Sequence, residues 1–278
     1  MDGGQWQALY LLERLEQATL LARAGSPLFE EAKRRGVDVR PLSLAQVGTL
    51  ARQADLIHAH DAKTHSMAAA VAGGTPLVVS RRVAFPIQSG WLSRWKYARA
   101  MKFLAVSRFV ADRLEDADIP HEKICVVHDG VPIPETPSVP EPKRVVALRA
   151  KPCTIPGVDI ELTDHLWESL QHAAVFVYRS ELEGLGSAAL AAMAMGIPVV
   201  ASRAGGLAET VVDGETGFLV DDDDFREPVL TLLDSPALAR RMGAAGRQRA
   251  QREFSVDLMV ARTRKAYLTV LRPVEARV

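Results

Sequence analysis

Cysteine is almost missing: Cys125 and Cys153 are the only two thiols in 278 residues. Two thiols make neither a disulfide framework nor a thiolate metal cluster, so a stapled secreted scaffold is excluded and a reducing compartment is implied. No apolar run approaches the ~18–20 residues that a membrane-spanning helix requires. The opening "MDGGQWQALY" lacks the basic-then-apolar order of a secretory leader. Charge of one sign is also lacking, because Lys plus Arg and Asp plus Glu stand at 34 each. That balance recruits neither nucleic acid nor a membrane globally, so any such partner has to be met by a local patch. There is no internal repeat and no low-complexity tract. These absences leave a cytoplasmic globular protein.

What is present is a core-forming composition, 48% hydrophobic and 24% charged. Short β-like runs such as "DLIHAH", "PLVVS", "KFLAVS" and "KICVVHDGV" alternate with helical stretches such as "PLFEEAKRRG" and "RFVADRLEDA". That alternation predicts parallel βαβ units in doubly wound sheets. The segment "VPIPETPSVPEPK", residues 131–143, carries five prolines and reads as a stiff spacer. Beyond it the alternation resumes through "RVVALRA", "AVFVYRS", "IPVVAS" and "GFLV", and three helical stretches close the chain. The expected division is therefore 1–130, a linker at 131–143, a second α/β domain at 144–255, and a C-terminal helix at 256–278 that packs back on the first domain.

The densest signal is "SELEGLGSAALAAMAMGIPVVAS", where Glu183 precedes Gly184 and Gly186 and a helix starts near Ser187. Glycines let backbone approach a ligand closely, and the first-turn amides of a helix favour a phosphate or diphosphate. A carboxylate beside them can accept from sugar hydroxyls. Taken alone, such a turn is as often structural as functional.

Its longer context narrows the reading. Residues 180–220, "SELEGLGSAALAAMAMGIPVVASRAGGLAETVVDGETGFLV", resemble the C-terminal signature of retaining glycosyltransferases of family 4: a serine, EGFG, a helix carrying EAMA, G-x-PVVAS, GG-x-x-E and G-x-TG-x-LV. In the first half "GGQWQAL" is similar to the family's glycine loop and first helix, and "LIHAHDAKTH", "PLVVSRR", "LAVSRFVADRL" and "KICVVHDGV" follow in its order. The resemblance implies a GT-B-like α/β fold, two Rossmann-like domains facing across a cleft, both shortened here. It implies transfer of a sugar from a nucleotide-diphosphate sugar, with retention, to a glycan or lipid-linked acceptor in cell-envelope or lipopolysaccharide-type synthesis. No metal or other cofactor is expected beyond that co-substrate. By position, Glu183 would touch the donor sugar, and Gly184, Leu185, Gly186 and Ser187 would hold the diphosphate. Gly205, Gly206 and Glu209 would line the nucleotide-sugar side, and Gly3 and Gly4 would face the diphosphate or the acceptor from the first domain.

Four departures qualify that implication. The family's second glutamate, eight residues after the first, normally holds the nucleotide ribose and is Ala191 here. The arginine and lysine that should follow the linker are represented by Arg149 and Lys151 at most. The strand expected ahead of the glycine loop, central in a Rossmann order, is missing, so another segment fills its slot, a partner pairs there, or the sequence starts too late. Finally, Arg82 stands after "VVS" where many relatives carry histidine, and would either grip a phosphate or form a surface ion pair.

Elsewhere, "HAHDAKTH" concentrates His58, His60, Asp61 and His65. Alternation puts His58 and His60 on one strand face at an acceptor-side position, with Asp61 beside them. His60 and Arg82 join Glu183 as catalytic candidates. "GWLSRWKYARAMKF", residues 90–103, interleaves aromatics with cations; it suits peripheral contact with the inner membrane face, or a core-packed helix with snorkelling side chains. A homo-oligomer is compatible with the sequence. The competing function is a non-catalytic relative that binds a nucleotide or glycan or serves as a partner subunit; a nucleotide-sugar epimerase on the same fold is a third.

Overall fold

The computed structural model describes residues 3–87, 90–221 and 224–271. It divides into two compact units: unit 1 is Met1–Gly130 with Val256–Val278, and unit 2 is Val131–Ser255. Residues 272–278, grouped with the last helix by the sequence, lie outside the described residues.

Unit 1 runs α1 (Gly3–Leu12), β1 (Thr19–Ala22), α2 (Pro27–Arg34), β2 (Asp38–Pro41), α3 (Leu44–Ala51), β3 (Ile57–Ala59), α4 (Ala62–Val71), β4 (Leu77–Arg81), α5 (Trp91–Ala98), β5 (Lys102–Ala105), α6 (Arg108–Glu115) and β6 (Ile124–Val126). Its helices start where short polar side chains can accept from first-turn amides. Ser26 caps α2 ahead of Pro27, Ser43 caps α3, Asp61 caps α4 and Ser107 caps α6. The strands β3-β4-β5-β6 form one parallel sheet, and β1-β2 form a separate parallel pair. Among the described residues no ladder joins β1 to β3.

The core of unit 1 is closed by α12 (Val256–Leu271). Its Val256, Met259, Val260, Ala266 and Val270 pack with Leu11, Val78, Leu104 and Val127. Each large apolar side chain fully removed from water contributes about 1.5–3 kcal/mol. On α1, the Gln7 side chain clamps Gly130, donating to its carbonyl at 2.9 Å and accepting from its amide at 2.8 Å.

Unit 2 contains β7 (Val145–Leu148), β8 (Ile160–Thr163), α7 (Leu166–Leu170), β9 (Val175–Tyr178), α8 (Ser187–Ala194), β10 (Val199–Ser202), α9 (Leu207–Thr210), β11 (Gly217–Val220), α10 (Arg226–Asp234) and α11 (Pro236–Glu253). All its ladders are parallel, in the order β11-β10-β9-β7-β8. The loop 149–159 joins β7 to β8 without a helix, so this crossover is pruned to its minimum. The proline-rich segment is tied to unit 2 along its length: the amides of Ser138, Val139 and Glu141 donate to the carbonyls of Met195, Gln171 and His172. Proline limits this stretch to extended backbone, and docking satisfies the remaining donors.

Strand order fixes where a ligand can sit. In unit 2 the winding reverses between β7 and β9, and ligands of open α/β sheets gather beyond the C-terminal strand ends at such a reversal.

Candidate functional site

At that reversal the structure assembles four polar side chains. Lys151 follows β7, while Tyr178, Ser180 and Glu183 follow one another off the end of β9. Lys151 Nζ donates to Glu183 Oε2 at 2.5 Å and to Ser180 Oγ at 2.8 Å. The Tyr178 hydroxyl donates to the same Glu183 Oε2 at 2.8 Å, and the ammonium of Lys151 lies 4.7 Å from the centre of the Tyr178 ring. Burial first, and then the Glu183 charge, raises the Tyr178 pKa, so the phenol keeps its proton and can only donate to that oxygen. Two donors thus fix Oε2. Among the described residues Oε1 accepts only from the Gly184 amide, at 3.2 Å, and keeps acceptor capacity for a ligand hydroxyl.

The glycines hold this arrangement by close approach. Gly186 has φ +96°, a left-handed conformation, and a Cβ there would lie 2.4 Å from Leu207 Cδ2. A Cβ on Gly206 would lie 2.0 Å from the Gly184 carbonyl oxygen. The Gly206 amide donates to the Glu183 carbonyl at 3.0 Å, so the loops around residues 183–186 and 204–206 are one packed unit. Thr210 adds a bond from its hydroxyl to Leu185 O at 2.7 Å. Among the described residues no side chain caps α8, which starts directly after Gly186, so its first-turn amides are available to an anion.

The remaining donor-side candidates divide. Lys151 joins the cluster, whereas Arg149 turns away, bonding Asp164 at 2.7 Å and Leu162 O at 2.8 Å on a solvent-exposed strand end. Gly184, Leu185 and Gly186 are buried, and Ser187 is half-buried as the first residue of α8. Gly205 and Glu209 flank Gly206 half-buried, and the Glu209 carbonyl accepts from Arg249. Tyr178 was missed by the sequence reading; its one signal was an aromatic closing the apolar strand "AVFVY".

Unit 1 holds a second polar cluster at the C-terminal end of β3. The His58 and His60 rings lie 4.0 Å apart between centroids, tilted by 39° to one another. His58 is used on both nitrogens: Nδ1 lies 2.6 Å from the Tyr267 hydroxyl of α12 and Nε2 lies 2.9 Å from Ser80 Oγ. His60 Nδ1 meets Arg82 Nη1 at 3.3 Å, and Arg82 Nε bonds Asp129 Oδ1 at 2.8 Å. Burial, aided by the Arg82 charge, pushes His58 down to about 3, and burial holds His60 well below 6.5. Both imidazoles are therefore neutral at neutral pH. A small cavity beside them is lined by Ser80, Arg82, Asp129, Met259 and Thr263.

This changes several expectations. Arg82 is not a surface arginine: its side chain is 17% exposed and its partner Asp129 is 6% exposed. Asp61 caps α4, accepting from the Lys63 and Thr64 amides at 2.8 Å, so its carboxylate serves the helix. Gly3 and Gly4 are the first two residues of α1 and not a loop ahead of it, because the helical bonds start with them. His65 is buried against Tyr97 and Phe103. Among the described residues no three His, Cys, Asp or Glu side chains converge as a metal site, and no helix is long and apolar enough to cross a membrane.

Comparison with known proteins adds the family and the fold. A family model described as "Glycosyltransferase Family 4" matches residues 1–134, and one described as "Glycosyl transferases group 1" matches residues 160–249. The alpha-maltose-1-phosphate synthase of Mycobacterium tuberculosis is 45% identical over 114 residues, covering 38% of this chain and 30% of that protein. The capsular polysaccharide biosynthesis glycosyltransferase CapM of Staphylococcus aureus is 33% identical over 106 residues, 37% of this chain and 28% of that one. The matches thus span less than a third of the length of these curated relatives. Among solved structures, Anabaena HepE in complex with UDP and glucose superposes with a TM-score of 0.82 at 15% identity, over 96% of both chains. The lipopolysaccharide outer core galactosyltransferase WaaB superposes at 0.69 and 14% identity, over 97% of this chain and 96% of that one. These likenesses establish the GT-B fold.

Proposed function

The chain belongs to the group 1 glycosyltransferases and resembles their family 4, and from that premise we propose that it moves a sugar from a nucleotide-diphosphate sugar to a glycan or lipid-linked acceptor, with retained anomeric configuration. The bond from the anomeric carbon to the diphosphate oxygen breaks, a bond to the acceptor oxygen forms, and the acceptor proton passes to the departing diphosphate. The observation that carries this reading is Glu183, fixed through one oxygen by Lys151 and Tyr178 directly ahead of the uncapped α8. Its other oxygen is placed to orient sugar hydroxyls. The α8 amides and the Lys151 ammonium supply positive charge where the diphosphate leaves. A role in envelope polysaccharide synthesis draws support from the names of CapM and WaaB.

A second reading, a binding protein without turnover, is favoured by Ala191. It is buried in α8 and offers no carboxylate where the family pattern places one. Thermal shift across UDP-, GDP- and ADP-sugars separates these readings from a chain without a donor site, since saturation at about a hundred times Kd adds about 2.7 kcal/mol. The expected outcome is stabilisation by one donor class, with transfer that Glu183→Ala abolishes. Stabilisation without transfer selects the second reading; no shift from any donor in a folded sample removes both.

A further inference from the structure

Helix α5 carries its apolar stripe on the wrong side for a core helix. Trp91, Leu92 and Trp95, spaced to share one face, are 73%, 59% and 45% exposed, while Tyr97 on the opposite face is buried. His65 holds that inner face, with its Nε2 3.2 Å from Lys96 O and its ring edge-on to Tyr97. The neighbouring loop extends the outward patch. Val83 and Phe85 are exposed, and Arg81 ties the loop to the helix by donating to both Phe85 O and the Tyr97 hydroxyl. Scattered exposed apolar residues need no explanation, but a contiguous set with two tryptophans marks an interaction surface.

Charge tells which kind. From Ala62 to Ala111 there is no aspartate or glutamate, yet besides Arg82, whose charge Asp129 balances, the stretch contains Lys63, Arg81, Arg94, Lys96, Arg99, Lys102 and Arg108. Arg94 and Arg99 flank the tryptophans and are exposed. In a chain whose charges cancel only overall, this local excess beside an aromatic stripe is complementary to an anionic bilayer surface. Tryptophan favours the headgroup level, and cations near it gain from the surface potential. We infer that α5 and the 83–85 loop are an interfacial docking surface for anionic membranes, one that holds the protein on a bilayer without crossing it. The inference rests on unit 1 alone and stands whether or not the transferase reading does.

Co-sedimentation of the full chain with vesicles tests it. The protein is expected to pellet with phosphatidylcholine vesicles containing phosphatidylglycerol and to stay in solution with phosphatidylcholine alone. High salt should release it, because the Debye length shortens. Trp91→Ser with Trp95→Ser, and separately Arg94→Glu with Arg99→Glu, should each weaken partitioning at least about tenfold; each surface cation contributes about fivefold. These side chains are exposed, so both variants should keep the wild-type circular dichroism and melting point. Equal binding to both vesicle types, or unchanged binding by both variants, overturns the inference. So does concentration-dependent dimerisation that the tryptophan variant abolishes while vesicle binding is absent, which would assign the patch to a second copy.

Discussion

Acidification should destabilise unit 1 before any carboxylate is neutralised. His58, with an ordinary value of 6.5, is pushed down to about 3 by burial and the Arg82 charge. His65 is pushed down to about 4, chiefly by burial with Lys96 adding to it. His60 moves in the same direction. A folded state with depressed histidine values refuses protons that the unfolded chain accepts. This contribution to stability is therefore complete above 6.5 and is lost as pH falls towards the folded values. Near pH 5 the unfolded chain gains about 2 kcal/mol from each such histidine. His58 and His65 together give about 4 kcal/mol, a large share of the 5–15 kcal/mol that usually holds a domain. Between pH 6.5 and 5 the effect is cleanly assigned, because Glu31, held near 2 in the folded state, has an ordinary value of 4.5 and contributes only below it. Urea unfolding should be followed by tryptophan fluorescence in a Trp167→Phe background, where Trp6, Trp91 and Trp95 all report on unit 1. The midpoint should fall steeply from pH 7 to 5 at constant slope m, and His58→Gln should remove about one proton from the dependence. A flat midpoint over that range would refute the buried, neutral histidines.

Asp129→Ala should leave the Arg82 guanidinium without its buried partner, at about 3–5 kcal/mol, lowering the Tm of unit 1 by roughly 6–20 °C in calorimetry. Combining Arg82→Met with Asp129→Leu should recover most of that loss. In unit 2, Gly206→Ala forces a Cβ to within 2.0 Å of Gly184 O. It should cost about 1–3 kcal/mol in urea titrations and diminish any donor-dependent thermal shift. Gly74→Ala, where a Cβ meets nothing within 4 Å, is the matched control and should be nearly silent.

Much of this was legible in the sequence because it is local. The capping residues Ser26, Ser43, Asp61 and Ser107 announce their helices through neighbouring amides, and the glycines at 184 and 186 announce a backbone that must pass close to something. The contacts that define both clusters are not local. Tyr267 reaches His58 across 209 positions, and Lys151 reaches Glu183 across 32, through parallel-strand register that one sequence does not reveal. Arg149 and Lys151 were equivalent as letters, and the path of a helix-free loop sent one to solvent and the other to the carboxylate. The outward stripe of α5 was ambiguous for a related reason. Periodicity shows that a helix has an apolar face, but not whether another surface of the protein covers it.

The same limit bears on Ala191. A letter change from glutamate to alanine reads as one lost contact, yet α8 is buried from Ala188 to Ala194, between the sheet and α11. Gly246 on α11 brings that helix against Met193, and Gly243 packs on the Gly196 carbonyl so tightly that a Cβ would lie 1.9 Å from it. A lone carboxylate placed at position 191 would have to ionise inside this packing or leave it, and burial without a partner strongly disfavours the charged form. Alanine there suits the dense packing of α8 and is not an isolated defect. If a nucleotide is held, the contact that the family pattern assigns to this position must come from another side chain. The cluster around Glu183 does not depend on it: Lys151, Tyr178 and the α8 amides are all in place. A donor site here would therefore be weaker on its nucleoside side while remaining built on its diphosphate side. Nucleoside diphosphates differing only in base should accordingly compete within a narrow range of affinity, whereas the corresponding monophosphates should bind far more weakly.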